Sequence, residues 1–515
     1  MNAFNFDTKL PRLMSRSAIL GLAVAVTLSV SGCRLAPQPI DMSARRAGLP
    51  QERAELTRGQ QAPSTPVTMD EAVTRALKYN LDYRIKLMEE ALADRNYEAA
   101  RMDLLPRMTA AAGYSERNND NASSSMSVIT GRQSLEPSVS SERERLSSDL
   151  GISWNVLDFG VSYFQARQQA DRTLMAEERR RRAIHLVMQQ VRLAWWQAAS
   201  AQELEPRVAP LLSQARAALE DSRRIEAERL QAPLETLNYQ RQLLDIIRQL
   251  EAINEELAQA KPRLAALMSI EPGTQYQLAS PGPLSVPEID APIQMLEETA
   301  LLNRPELMEA RYNERIGWME TRKAVARMLP GIEFSVGTHF DSNNFLLNDQ
   351  WRDAGLRASW NLFNVLNYRN MKRSSELQHQ IAQQQKLAMS MAVLTQTQVA
   401  YRYYLGRKRQ FELALALDGI DQKILGHTRN AARNDAQGQL QEVRASATAL
   451  ISELRRYQSY GALQGAYGQM LATLGIDEPT ATLSAAYLEQ LMLPQQPAQA
   501  LASPGAQPVA GTQGP

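Results

Sequence analysis

Cysteine occurs once in the 515 residues, at position 33, and histidine only four times. A single thiol excludes an intrachain disulfide and any Cys-rich zinc or iron–sulfur site. His185, His339, His379 and His427 are scattered, with no His-Glu-x-x-His or comparable ligand spacing. Glycine-rich phosphate loops and nucleophile elbows are also missing. Acidic residues fall in mixed-charge helical stretches such as 251–256, which read as solvated faces rather than catalytic dyads. No catalytic group, metal or cofactor is therefore expected, and the chain does not read as an enzyme. Net charge is +1, without the basic excess that nucleic acid requires. A second long apolar run is absent and mean hydropathy is -0.38, which excludes a bundle of membrane-spanning helices.

The one apolar run is N-terminal. Ala18 to Val30 is apolar or small throughout and follows Lys9, Arg12 and Arg16. It is too short to span a bilayer as a mature helix and matches the core of a secretory signal. The run ends in Val30-Ser31-Gly32-Cys33, which resembles the bacterial lipobox. That resemblance implies lipidation at Cys33 and, because Arg34 rather than Asp follows, an outer-membrane destination. Met14 opens a more compact signal than Met1 does.

The rest of the chain reads as two copies of one plan. A shift of 224 residues aligns Ala76-Leu77 with Ala300-Leu301, Glu90 with Glu314, Leu105-Pro106 with Leu329-Pro330 and Gly113 with Gly337. At a shift of 206, Ser153-Trp154-Asn155 meets Ser359-Trp360-Asn361, so the intervening loop is 18 residues longer in the first half. Trp195-Trp196 and Tyr403-Tyr404 then fall at matched positions and read as helix packing.

Each half predicts helix, strand, loop, strand, long helix, helix. Thr68 caps the first helix, which runs to about Leu105 before Pro106. Beyond each Leu-Pro the period changes to two: Ile332, Phe334, Val336 and Phe340 alternate with Glu333, Ser335, Gly337 and Asp341. Leu150, Ile152 and Trp154 alternate likewise, as do Leu356, Ala358 and Trp360, while Met108 to Tyr114 is weaker. Such strands suit an outer-membrane barrel. Four cannot close one, and an open sheet edge cannot sit in lipid, so copies must associate. Two copies supply eight strands, with an interior filled by side chains, and three supply twelve, enough for a pore, so a channel favours three.

The segments that follow are long and helical. Pro206 and Pro210 are the only prolines between about 161 and 228 and mark an expected kink. Leu243, Ile246, Leu250, Ile253, Leu257, Ala260, Leu264 and Leu267 step by three and four, as do Val443, Ala447, Leu450, Leu454 and Tyr457. Narrow stripes of this kind are coiled-coil seams, here of antiparallel hairpins.

Over about 66–480 the chain resembles the TolC family of outer-membrane efflux proteins, in its lipoprotein branch. The resemblance rests on the duplicated helix starts, the Leu-Pro joints, the Trp-Asn strands and the long hairpins. Leu157-Asp158-Phe159-Gly160 keeps much of the family's glycine-containing joint, whereas Leu362-Phe363-Asn364-Val365-Leu366 lacks the glycines. The resemblance implies an α+β membrane protein, internally duplicated. Its long helical hairpins and four strands per chain contribute to a homotrimer with a twelve-stranded outer-membrane β-barrel. It further implies a periplasmic adaptor (membrane fusion protein) and an inner-membrane transporter as partners, with no nucleic acid involved.

The family gates its tunnel at the periplasmic tips. Here the turns fall near Glu228 to Pro233 and near Asp435 to Glu442, so Glu228, Pro233, Glu235, Gly438 and Gln439 are candidate adaptor contacts. Glu442 takes one of the family's two acidic gate positions and Ala445 the other, with Asp435, Arg433 and Arg444 nearby. Trp154 and Trp360 are candidate barrel-interface aromatics.

The expected organisation is a signal peptide at 1–32, a lipid-anchored extended segment at 33–67 and a first repeat at 68–269 with its hairpin at about 107–157. A Pro-rich linker at 270–292 precedes a second repeat at 293–476 with its hairpin at about 331–363. The segment 477–515 ends in a disordered Pro/Ala/Gln tail. The expected function is a passive exit duct of a tripartite efflux or type I secretion system, lipid-anchored in the outer membrane with its helices in the periplasm. The alternative is a lipid-anchored periplasmic coiled-coil scaffold without a pore.

Overall fold

The structure is a computed structural model and describes residues 39–60, 62–134, 136–228, 232–271, 273–431, 436–478 and 481–492. The signal peptide, Cys33, Arg433, Asp435 and the tail beyond 492 lie outside the described residues. The chain divides into two units, the first ending at Gly59 and the second beginning at Gln60.

In the first unit the expected extended segment holds a helix, α1 (Met42–Leu56), capped by Asp41, whose carboxylate accepts from the Ser43 N–H. The Asx cap satisfies the first turn, and the helix runs on through Gly48 and Pro50 where an extended segment is expected.

The second unit opens with α2 (Met69–Tyr79), capped as expected by Thr68, whose Oγ1 accepts from the Glu71 N–H at 3.2 Å. The expected single helix to Leu105 is two. Asn80 has ψ 126° and starts α3 (Leu81–Met102) by accepting from the Tyr83 N–H. The same break separates α6 (Ile293–Asn303) from α7 (Pro305–Ala326), where Pro305 occupies the first turn. Periodicity hid both breaks because the apolar stripe runs across them.

Four long strands form one antiparallel sheet in the order β1 (Arg107–Glu116), β4 (Glu144–Asn155), β6 (Gly331–Asp341), β7 (Gln350–Ser359). The first hairpin loop carries a small extra pair, β2 (Ala122–Ser123) with β3 (Ser138–Val139). Trp154 lies within β4, but Trp360 lies just past β7, where its Nε1 donates to the Met328 carbonyl at 2.9 Å.

Both strands run directly into helices. Asn155 caps α4 (Val156–Ala227), its Oδ1 accepting from the N–H groups of Leu157 and Asp158. Asn361 accepts from the Phe363 N–H in the same way. The joint without glycine is interrupted: a short α8 (Leu362–Leu366) precedes α9 (Tyr368–Ala431). α4 continues through Pro206 and Pro210 for 72 residues, about 108 Å at 1.5 Å each. It turns back into α5 (Pro233–Leu267), and α9 turns back into α10 (Ala436–Leu474).

Near the sheet the helices neighbour one another as α3, α4, α7, α9; farther away the row is α5, α4, α10, α9. Leu243, Leu250, Leu257 and Leu264 of the expected seam are buried against α4, and Val443, Ala447, Leu450 and Leu454 are buried on α10. Each such leucine contributes about 2 kcal/mol on leaving water. The linker at 270–292 is pinned to the helices. Val67 bridges Leu278, the Tyr276 hydroxyl donates to the Lys261 carbonyl, and β5 (Ile289–Asp290) pairs in parallel with β8 (Leu483–Ser484). The chain after β8 forms α11 (Ala485–Met492).

Candidate functional site

The site begins with the two faces of the sheet. Register places Ile152 beside Val336 beside Ala354, and Trp154 beside Phe334 beside Leu356, on one face. The side chains there, among them Leu146, Leu150, Ile152, Phe334, Val336 and Leu356, are exposed although large and apolar. Charge on this face is confined to Glu116, Glu144 and Arg352 at the loop end. The other face carries Ser, Thr, Gly and charged residues, including Asp149, Glu333, His339, Asp341, Asp353 and Arg357. Strands of ten to twelve residues, tilted, cover about 25 Å, the height of an outer-membrane apolar band. The edges β1 and β7 each have one neighbour only.

Between sheet and tips, α4 carries Arg179-Arg180-Arg181-Arg182, a run that sequence reasoning passed over. Each guanidinium takes a different partner: Arg179 Glu309, Arg180 Glu90, Arg181 both Glu178 and Asp477, and Arg182 Glu306. Four residues span just over one helical turn, so their side chains reach α3, α7 and the chain after α10 at one level. Buried His185 sits 2.7 Å from Asp477. Burial works against ionisation of Asp477, but the His185 hydrogen bond and the Arg181 charge outweigh it and hold its carboxyl below the ordinary value. Burial pushes neighbouring Glu178 up despite Arg181. A cavity of about 960 Å³ adjoins this belt, lined by Arg180, Arg181, Asn303, Asp477 and Tyr487 among others. Closer to the sheet, Arg315 is paired with buried Asp171, and buried Lys323 reaches Gln165, Gln168 and Glu320. These polar contacts zip α4 to α7.

Aromatics fill the seam between the halves. Trp195 donates to the Val67 carbonyl at 3.1 Å, and Trp196 lies edge-on to both Trp195 and Tyr460. Tyr404 donates to the Pro287 carbonyl, and burial pushes its hydroxyl up to about 12. Tyr403 is half-exposed beneath Arg407. Trp154 lies edge-on to Phe159, 5.8 Å between centroids, at the point where β4 enters α4.

The tips are polar. Glu228 is the C-cap of α4, Pro233 opens α5, and Glu235 lies in the first turn, where the helix dipole favours an anion. Gln240 Nε2 spans that turn to Glu226 at 2.7 Å. At the other tip, Glu442 pairs with Arg429 of α9 at 3.6 Å, and Arg444 is exposed. Gly438 and Gln439 fall in the first turn of α10. Among the described residues no group of His, Cys, Asp and Glu could hold a metal ion, and no helix is long and apolar enough to cross a membrane.

No family model and no curated protein matches the chain. Solved structures do. The Campylobacter jejuni CmeC outer membrane channel is similar at TM-score 0.62 and 14% identity, over 89% of this chain and 96% of that one. The open state of the Neisseria gonorrhoeae MtrE outer membrane channel gives 0.60 and 16%, over 82% and 94%. The Vibrio cholerae outer membrane protein VceC gives 0.59 and 14%, over 79% and 96%. The chain therefore has the fold of the TolC-type outer-membrane channels.

Proposed function

We propose that this chain is an outer-membrane exit duct that passively conducts cargo delivered by an inner-membrane pump. One observation carries the reading: a sheet with one apolar and one polar face, open at both edges, leads into long helices, of which α4 follows β4 directly and spans about 108 Å. Backbone groups at the β1 and β7 edges must be paired before the sheet can enter lipid, and three copies joined β1 to β7 make a closed twelve-stranded barrel. The apolar face then meets lipid and the polar face lines the lumen. The helix rows close in the same way into a periplasmic tunnel. A pore-free scaffold would have no use for the exposed apolar face.

The matching order of elements around the two hairpins supports an internally duplicated chain, 68–269 and 293–476. Cys33 is the lipid attachment point, and Trp154 and Trp360 sit where the barrel meets the periplasmic headgroups. Glu442 supplies one carboxylate per copy to a ring at the tunnel mouth, which attracts cations and basic partner groups. Asp435, Arg433 and Arg444 are placed by sequence at that mouth, and Glu228, Pro233, Glu235, Gly438 and Gln439 at the tips that meet the adaptor.

The test is a planar-bilayer recording of the purified, lipidated protein with a mass measurement in detergent. Discrete single-channel conductance from a species of three chains is expected. A silent bilayer with a monodisperse single chain would overturn the reading.

A further inference from the structure

On the polar face of the sheet one row joins three strands. Asp149, His339 and Trp351 are direct neighbours in register across β4, β6 and β7, and Asp353 lies one pair further along β7. His339 Nδ1 is 2.6 Å from Asp149 Oδ1, and Nε2 is 2.9 Å from Asp353 Oδ1. The Trp351 ring stacks on the imidazole, 5.2 Å between centroids and 17° between planes. A carboxylate only accepts, and a neutral imidazole has one N–H to give, so only the imidazolium satisfies both contacts. The space for this bridge is made by Gly337: a Cβ there would lie 2.7 Å from Asp353 Oδ1 and 2.8 Å from His339 Nε2.

The charges on this face are few. Arg107, Arg145 and Arg357 stand against Asp149, Glu333, Asp341 and Asp353, three positive against four negative. Arg145 pairs with Asp341 at 2.7 Å, and Glu333 is the register neighbour of Arg357. β1 presents Ala111 beside Asp149 and no ionisable group nearer than Arg107. The permanent charges thus leave one negative per chain, and His339 cancels it when protonated.

We propose that His339 sets the ion preference of the duct: bridged between Asp149 and Asp353 as imidazolium it leaves the barrel wall neutral, and as imidazole it leaves the wall anionic. This rests on the duct reading above, in which this face lines the lumen and three copies contribute three such charges. The row is a specificity-determining element for cations, well removed from the periplasmic tips.

The experiment measures reversal potential across a salt gradient, using the full-length protein in a planar bilayer at about pH 5 and about pH 8.5. The wild type is expected to gain cation over anion permeability by roughly twofold or more at the higher pH. H339Q is expected to hold the high-pH ratio at both values, and H339R the low-pH ratio at both. A wild-type ratio that does not move with pH overturns the inference while leaving the duct intact. So does an equal pH shift surviving in H339Q or H339R. Absence of any conductance from wild type overturns the duct reading itself, and this inference with it.

Discussion

Arg180 Nε on α4 lies 2.5 Å from Glu90 Oε2 on α3, with both side chains about three-quarters buried. The pair ties the longest helix to the helix that feeds β1, in the middle of the belt formed by Arg179 to Arg182. Burial opposes the charge on Arg180, but Tyr83 and Glu90 together hold its guanidinium above the ordinary value. Removing one partner leaves a partly desolvated charge behind. Glu90→Ala is expected to cost about 1–2 kcal/mol, between the exposed and fully buried cases. Thermal unfolding in detergent checks this, and Glu309→Ala, at a more exposed Arg179 pair, should cost less.

Asp477 makes the same belt sensitive to acid. Its carboxyl is held below its ordinary 3.8 in the folded chain, so it binds protons more readily once unfolded. The stability it contributes is present in full above about pH 4 and disappears as pH falls through the folded value. Asp477→Asn is expected to be less stable than wild type at pH 7 and to show a flatter decline below pH 4. Melting temperature against pH reads the difference; identical acid limbs would remove Asp477 from the account.

Much of this architecture is legible in the amino-acid order because it rests on periodicity. The period-two runs of Ile332 to Phe340 and Leu150 to Trp154 give the sheet and its two faces, and the three-four steps of Leu243 to Leu264 give the helical seam. The breaks at Asn80 and at Arg304, the residue between Asn303 and Pro305, were missed because a helix break leaves an apolar stripe unchanged. The belt was missed for another reason: Glu-Glu-Arg-Arg-Arg-Arg at 177–182 reads as a solvated charge run until α3, α7 and the chain after α10 are seen to supply its carboxylates. His339 looked isolated because Asp149 is 190 residues away in sequence. At the tip, Arg429, which pairs with Glu442, was not singled out because it belongs to the facing helix.

Gly475 closes α10 with φ +70°, and a Cβ there would lie 2.5 Å from the Asn303 carbonyl oxygen and 2.7 Å from its carbon. Both atoms are backbone at the α6–α7 break, so neither can swing aside. Gly475→Ala combines a left-handed penalty with this clash and is expected to lose at least about 2 kcal/mol. Gly406→Ala, mid-helix with open space around it, is expected to be neutral or slightly stabilising. Paired denaturation curves separate the two effects.

The Arg429–Glu442 pair bridges the α9–α10 turn at 3.6 Å with both side chains well exposed. An exposed pair of this kind contributes about 0.2–1 kcal/mol, no more than about a fivefold change in an opening equilibrium. Glu442→Gln is expected to raise single-channel open probability by up to that factor and to weaken cation attraction at the mouth. Bilayer recordings at low salt give both quantities, and a change above tenfold would mean that more than this one pair holds the tip.

Val336 and Ser335 are adjacent on β6 and point to opposite faces. Val336 stands with Ile152 and Ala354 on the apolar face; Ser335 stands opposite Ser153 and over Gly355, where a Cβ would come within 2.8 Å of its hydroxyl. Facing lipid near mid-strand, an arginine costs about 2–4 kcal/mol, whereas on the lumen side it stays in water. Val336→Arg is expected to reduce insertion into lipid vesicles by that amount, and Ser335→Arg to insert like wild type while narrowing the pore. Folding titrations into vesicles, followed by conductance, distinguish the faces. Equal losses for the two substitutions would mean that the sheet does not divide lipid from water.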